Sequence, residues 1–204
     1  MTQLPNNSSD AKVSVERQTW LFNFKLGYKT LLDDNNVNTE NGRITSVKYQ
    51  MNWPSPGNDP AYNAEALARR TVYAISGVPD VVYSGSNIAT SQAAIDAVKA
   101  IPSLVEIDAE WSATGGYIQC DATVDALADL GSNVSLHMAM IEKEISHNIQ
   151  TNGETTFYHI FRKFMDGSNG HSMGSMTAGN TYTHYANSTI SVNSAPAQGS
   201  YDFW

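Results

Sequence analysis

Apolar and polar positions follow two successive regimes along this chain. Residues 11–16 alternate, with Val13 and Val15 apolar, and residues 43–51 alternate again around Ile44, Val47, Tyr49 and Met51. A period of two predicts strands. Between them, Leu26, Leu31 and Leu32 share one face, which predicts a helix running to about Leu32. The stretch 33–42 (DDNNVNTENG) then reads as a turn-rich loop. Asn63 is placed to cap a helix from Ala64 to about Tyr73. Glu65 in its first turn and Arg69–Arg70 in its last complement the helix dipole. Pro79 pushes Val78 out of the helical region. Val81, Val82 and Tyr83 then predict a short apolar strand closed by Gly85. A brief strand at 87–89 follows. Thr90 or Ser91 caps a helix from Gln92 to Ala100, which ends before Pro102.

Beyond Pro102 the helical periods disappear. Residues 104–111, 115–124, 134–145 and 155–164 read as strands, and 180–192 adds one or two more. The stretch 166–179 (DGSNGHSMGSMTAG) reads as a loop. Strands at this spacing, with glycine turns between them, predict a sandwich. The expected fold class is therefore α/β plus all-β. The expected divisions are a flexible arm over 1–12, an α/β domain over 13–102 and a β-sandwich-like domain over 103–204.

Charge and cysteine content narrow the chemistry. The formal net charge of −8 argues against a nucleic-acid partner, which needs clustered Lys and Arg. No run of 18 apolar residues occurs, so no helical membrane span is predicted. The first twelve residues are polar and carry no signal peptide. Both ends read as cut, so the expectation is a mature or excised segment with a new Met1. Cys120 is the single cysteine, which excludes an internal disulfide and any Cys-x-x-Cys pair. It reads as a buried thiol packed like a small hydrophobe.

The segment Thr19-Trp20-Leu21-Phe22-Asn23-Phe24-Lys25-Leu26-Gly27, then Ser46 to Trp53, Asn63-Ala64-Glu65, and Arg69 to Pro79 stand in an ordered series. Together with Ser135 to Glu142 and His159 to Lys163, they resemble the Omp28-related exported proteins of Bacteroidetes, whose members carry a thioredoxin-like domain followed by a β-domain. The resemblance spans most of residues 13–170. It implies that Gly77-Val78-Pro79 is the cis-proline loop, a fold marker beside the redox site. It also implies that Leu21 and Phe24 occupy the two cysteine positions. Disulfide exchange needs an attacking thiolate and a resolving thiol, so the site is expected to be redox-dead.

The expectation that follows is a non-catalytic exported protein (periplasm, outer membrane or extracellular) that uses the scaffold for protein binding or assembly. One alternative is a structural subunit of a larger extracellular or viral assembly, and another is an enzyme whose chemistry moved to Cys120 or a histidine. Trp53, Tyr83, Phe203 and Trp204 are the candidate partner contacts. No cofactor and no metal site is predicted. The five histidines follow no ligand spacing, and the Asp/Asn-rich loop 33–41 lacks the order of a calcium loop. The carboxylates Asp108, Glu110, Glu142 and Glu144 are expected on solvated strand faces.

Overall fold

The computed structural model describes residues 11–16, 31, 33–34, 44–53, 59, 61–87, 90–146, 156–189 and 201–203. Its described elements are twelve strands and two helices, a β-rich fold. In chain order they are β1 (Ala11–Glu16), β2 (Thr45–Gln50), α1 (Ala64–Val72), β3 (Asp80–Tyr83), β4 (Ser86–Asn87), α2 (Gln92–Lys99), β5 (Val105–Thr114) and β6 (Tyr117–Ala126). Then come β7 (Leu130–Leu136), β8 (Ala139–Ile145), β9 (Phe157–Phe164), β10 (His171–Met176), β11 (Thr181–Thr189) and β12 (Tyr201–Phe203).

Seven strands form one sheet in the order β12-β8-β9-β2-β1-β3-β4. β1 runs parallel to β2 and antiparallel to β3, so it lies between the two strands that follow it. β9 joins β2 in parallel, and β8 and β12 extend the sheet antiparallel. Successive residues of β3 feed opposite faces. Val82 packs with Val47, Tyr49, Ala66, Ile75, Phe161 and Phe164 under α1. Val81 and Tyr83 pack with Ile95 and Val98 of α2 and with Ile44. Burial on both faces explains why β3 is continuously apolar where a half-exposed strand would alternate.

Both helices start where the sequence predicts. The Asn63 side chain accepts a hydrogen bond from Ala66 N at 2.9 Å, and Ser91 Oγ accepts one from Ala94 N at 3.2 Å. Each satisfies an amide that the helix itself leaves unbonded.

A three-stranded sheet, β11-β6-β5, packs its apolar face against the pair β10-β7. Val105, Ile107, Val124, Ala126, Leu130, Val134, Met173 and Met176 fill the space between them. A second cluster holds Ile118, Cys120, Ala122, Met138, Met140, Met165 and Ala186, and so ties the three-stranded sheet to the end of β8.

Several expectations are corrected. Asp33 and Asp34 are helical and exposed, so the helix predicted to end near Leu32 runs further. The single strand predicted over 134–145 is two, β7 and β8, separated at His137–Met138 and placed in different sheets. The predicted loop 166–179 contains β10, which pairs with β7. Residues 201–203, given no element by the sequence pattern, form a strand that pairs antiparallel with β8 of the same chain. A division at residue 102 does not separate the sheets, because β8, β9 and β12 all return to the sheet built on β1 and β2. Glu142 is no solvated alternate: it is fully buried beside Arg162, with Nε and Oε2 3.6 Å apart.

Candidate functional site: the loop between the first helix and β3

The last turn of α1 sets the path of the chain into β3. Ala74 N donates to Thr71 O and Ile75 N donates to Arg70 O, both at 3.1 Å, while Ala74 adopts φ 53°. This is the paired-bond helix ending that normally places glycine at the left-handed position. Ile75 is then held twice by one residue. Its N–H bonds the Arg70 carbonyl, and its carbonyl accepts from Arg70 Nε at 3.2 Å. The Arg70 guanidinium in turn lies over the Trp53 ring, 3.9 Å from the centroid. The stack joins the end of α1 to the segment that follows β2.

The loop leaves this clamp with Ser76 and Gly77 exposed and Val78 half-buried against the core. The Val78–Pro79 bond is cis, and β3 starts at the next residue. Asp80 opens that strand by accepting Val81 N at 2.8 Å.

Below the loop is an aromatic floor. Phe161 and Phe164 have centroids 4.6 Å apart, and Tyr49 stands 4.6 Å from Phe161. The Arg69 guanidinium lies 5.1 Å from the Phe164 ring and 5.6 Å from Tyr73, distances at which a cation is attracted by the ring face. It also bonds the Tyr49 hydroxyl. Burial pushes the Tyr49 phenol well above its ordinary range, and Arg69 only partly opposes this, so Tyr49 stays neutral. Glu65 accepts Phe164 N at 2.7 Å, and Asn63 Nδ2 donates to Arg162 O at 3.1 Å. The first turn of α1 is thereby fixed to β9. His137 stacks obliquely on Phe164, and burial, with help from Arg69, lowers its pKa.

The structure brings Trp53 onto the Arg70 guanidinium, and Gly77, Val78 and Pro79 follow closely after Ile75, the residue whose carbonyl Arg70 holds. Tyr83 is a correction as a partner contact: it is 2% exposed, at the end of β3 and packed against Ile95 and Val98 of α2. Phe203 lies in β12, while Leu21, Phe24 and Trp204, and with them the expected redox positions, fall outside the described residues. Most of the 33–41 loop does so too, as does His147.

Cys120 is buried on β6. Burial, reinforced by Asp121 and Asp166, pushes its thiol up to about 11. It is therefore protonated at neutral pH and is a poor nucleophile there. His171 opens β10 and His184 lies within β11, and their rings stack with centroids 3.6 Å apart. His184 Nε2 is 3.1 Å from Asp166 Oδ1. Among the described residues, no group of three or more His, Cys, Asp or Glu side chains is arranged to hold a metal ion.

No family model matches the chain, and no curated protein matches it either. Among solved structures, HBP35 of Porphyromonas gingivalis matches with a TM-score of 0.67 at 12% sequence identity. The match covers 93% of this chain and 66% of that one. At this identity the shared property is the fold. Among the described residues, no helix is long and apolar enough to cross a membrane.

Sequence reasoning missed the Arg70 clamp, because Arg69 and Arg70 were read only as charges on a helix dipole. A visible signal existed: Trp53 precedes a proline-rich turn, and an arginine pair precedes the loop to β3. Nothing local, however, says that the two segments meet.

Proposed function

We propose that this is a non-catalytic exported protein of the Omp28-related kind, in which a thioredoxin-like scaffold presents the loop 76–79 to an extended segment of another protein. The observation that carries the reading is the strand order β2-β1-β3-β4, with β1 parallel to β2 and antiparallel to β3, and with Ser76 and Gly77 exposed immediately before Pro79. That order is the one a thioredoxin-like domain needs. An exposed extended loop beside a sheet is a place where peptides add by main-chain hydrogen bonds.

The non-catalytic part rests on Cys120. The single thiol of the chain is buried and protonated on a strand of another sheet. The scaffold beneath the loop is also built for rigidity, since Arg70, Trp53 and the aromatic floor fix its entry.

Two measurements test the reading. Amide chemical-shift mapping with extended eight-residue peptides should move resonances of Ser76 to Val78. Shifts confined to other surfaces would overturn the binding role. An insulin-reduction assay should show no turnover above the uncatalysed rate, and measurable turnover would overturn the non-catalytic role.

A further inference from the structure

We infer that the loop 76–79 selects segments that carry a carboxylate, and that Arg70 is the residue that reads it. This rests on the peptide-binding reading above and adds a ligand class to it.

Arg70 is half-buried, and its two fixed contacts use only part of the guanidinium. Nε is committed to the carbonyl of Ile75, and the plane is committed to the face of Trp53. Among the described residues, these are the contacts its side chain makes, so the terminal nitrogens keep their donors. A guanidinium immobilised in this way has already lost the rotamer freedom that a free arginine gives up on binding. Its remaining N–H pairs match a carboxylate in a two-point arrangement that a lysine cannot reproduce.

Position makes the donors useful. Arg70 grips the carbonyl of Ile75, the residue directly before the exposed Ser76 and Gly77. A strand docked along Ser76–Val78 therefore passes beside the guanidinium. Arg69, one residue earlier, is turned the other way, toward Tyr49, Tyr73 and Phe164, and adds positive potential without competing for the ligand. The charge is also unusual for its setting, because the whole chain is at −8. An acidic segment is repelled by most of this surface and attracted at the loop, which fixes where it docks.

Two eight-residue peptides of the same extended sequence test this, one with a central Asp and one with Asn. The Asp peptide is expected to bind about tenfold more tightly, since a charge-assisted pair is roughly that much stronger than a neutral one. Added salt should weaken the Asp peptide and leave the Asn peptide unchanged. Arg70→Gln is expected to bring the Asp peptide down to the Asn value, and Arg70→Lys to recover only part of the difference. Where Arg70→Gln unfolds the loop, as near-ultraviolet circular dichroism would report, Trp53→Leu serves instead. It removes the platform, keeps the charge, and should lower the Asp preference several-fold.

Equal binding of both peptides at Ser76–Val78 overturns the carboxylate preference and leaves the peptide-binding role standing. No binding of either overturns both. An Asp preference that survives Arg70→Gln and Trp53→Leu also overturns the assignment to Arg70.

Discussion

Ala74→Gly should make this protein more stable. Ala74 is exposed, so its methyl group contributes little packing, yet it holds φ 53° at the end of α1. An L-residue with a Cβ pays about 1–2 kcal/mol in that region. Glycine removes the cost but adds unfolded-state entropy worth about 0.5–1 kcal/mol. The net gain expected is about 0.5–1 kcal/mol. In a chain of this size that corresponds to a rise in Tm of about 1–4 °C. Urea unfolding followed by far-ultraviolet circular dichroism reads it as a higher midpoint with an unchanged slope. Ala74→Val is the opposing control. A β-branched residue fits the left-handed region worst, so it should unfold earlier than the parent. A destabilising glycine together with a neutral valine would refute the argument, because residue 74 would then not be left-handed and the bonds from Ala74 and Ile75 back to α1 would not close.

Gly170→Ala should destabilise by about 1–3 kcal/mol, because a Cβ there would meet Leu136 O at 2.6 Å and His137 Nδ1 at 2.7 Å with φ at +68°; thermal unfolding measures it. Arg162→Met should cost about 3–5 kcal/mol by leaving Glu142 buried without its cation, and adding Glu142→Leu should recover most of that in a double-mutant comparison. His159 titrates at about 4, lowered by burial and then by Lys48 and Lys143. The folded state thus favours the neutral ring. Its contribution is complete above the unfolded value of about 6.5 and is lost as pH falls from there toward 4. His159→Asn, which tolerates the left-handed φ of 58° at this position, should flatten the fall in stability across that window. An unchanged pH profile would assign the acid sensitivity elsewhere.

What was legible in the sequence was whatever short-range chemistry decides. Asn63 and Ser91 cap their helices because a side-chain oxygen three residues ahead of a free amide is a local arrangement. Pro79 heads β3 for the same kind of reason. The break at His137–Met138 was invisible because Leu136, Met138 and Met140 keep their period through it, with no glycine or proline to mark it. β10 was read as a loop because Gly174 and its serines have little strand propensity; pairing with β7 makes the strand. Tyr83 was misjudged because period and composition do not say whether the second face of a strand is covered. α2 covers it. At the candidate site, the loop was legible and its clamp was not: the bond from Arg70 to Ile75 depends on the turn geometry that Ala74 sets.

The way the backbone leaves and re-enters the large sheet has a practical consequence. After β4 and α2 the chain goes out to β5, β6 and β7, returns for β8 and β9, goes out again for β10 and β11, and comes back for β12. The smaller layers are stitched through the larger one rather than hung from its end. A cut at any single connection therefore leaves both pieces with strands that lack neighbours. Neither half should be obtainable by limited proteolysis or by expressing it alone. Evolution can exchange the outer loops of such a chain freely, but it cannot shuffle its halves like cassettes.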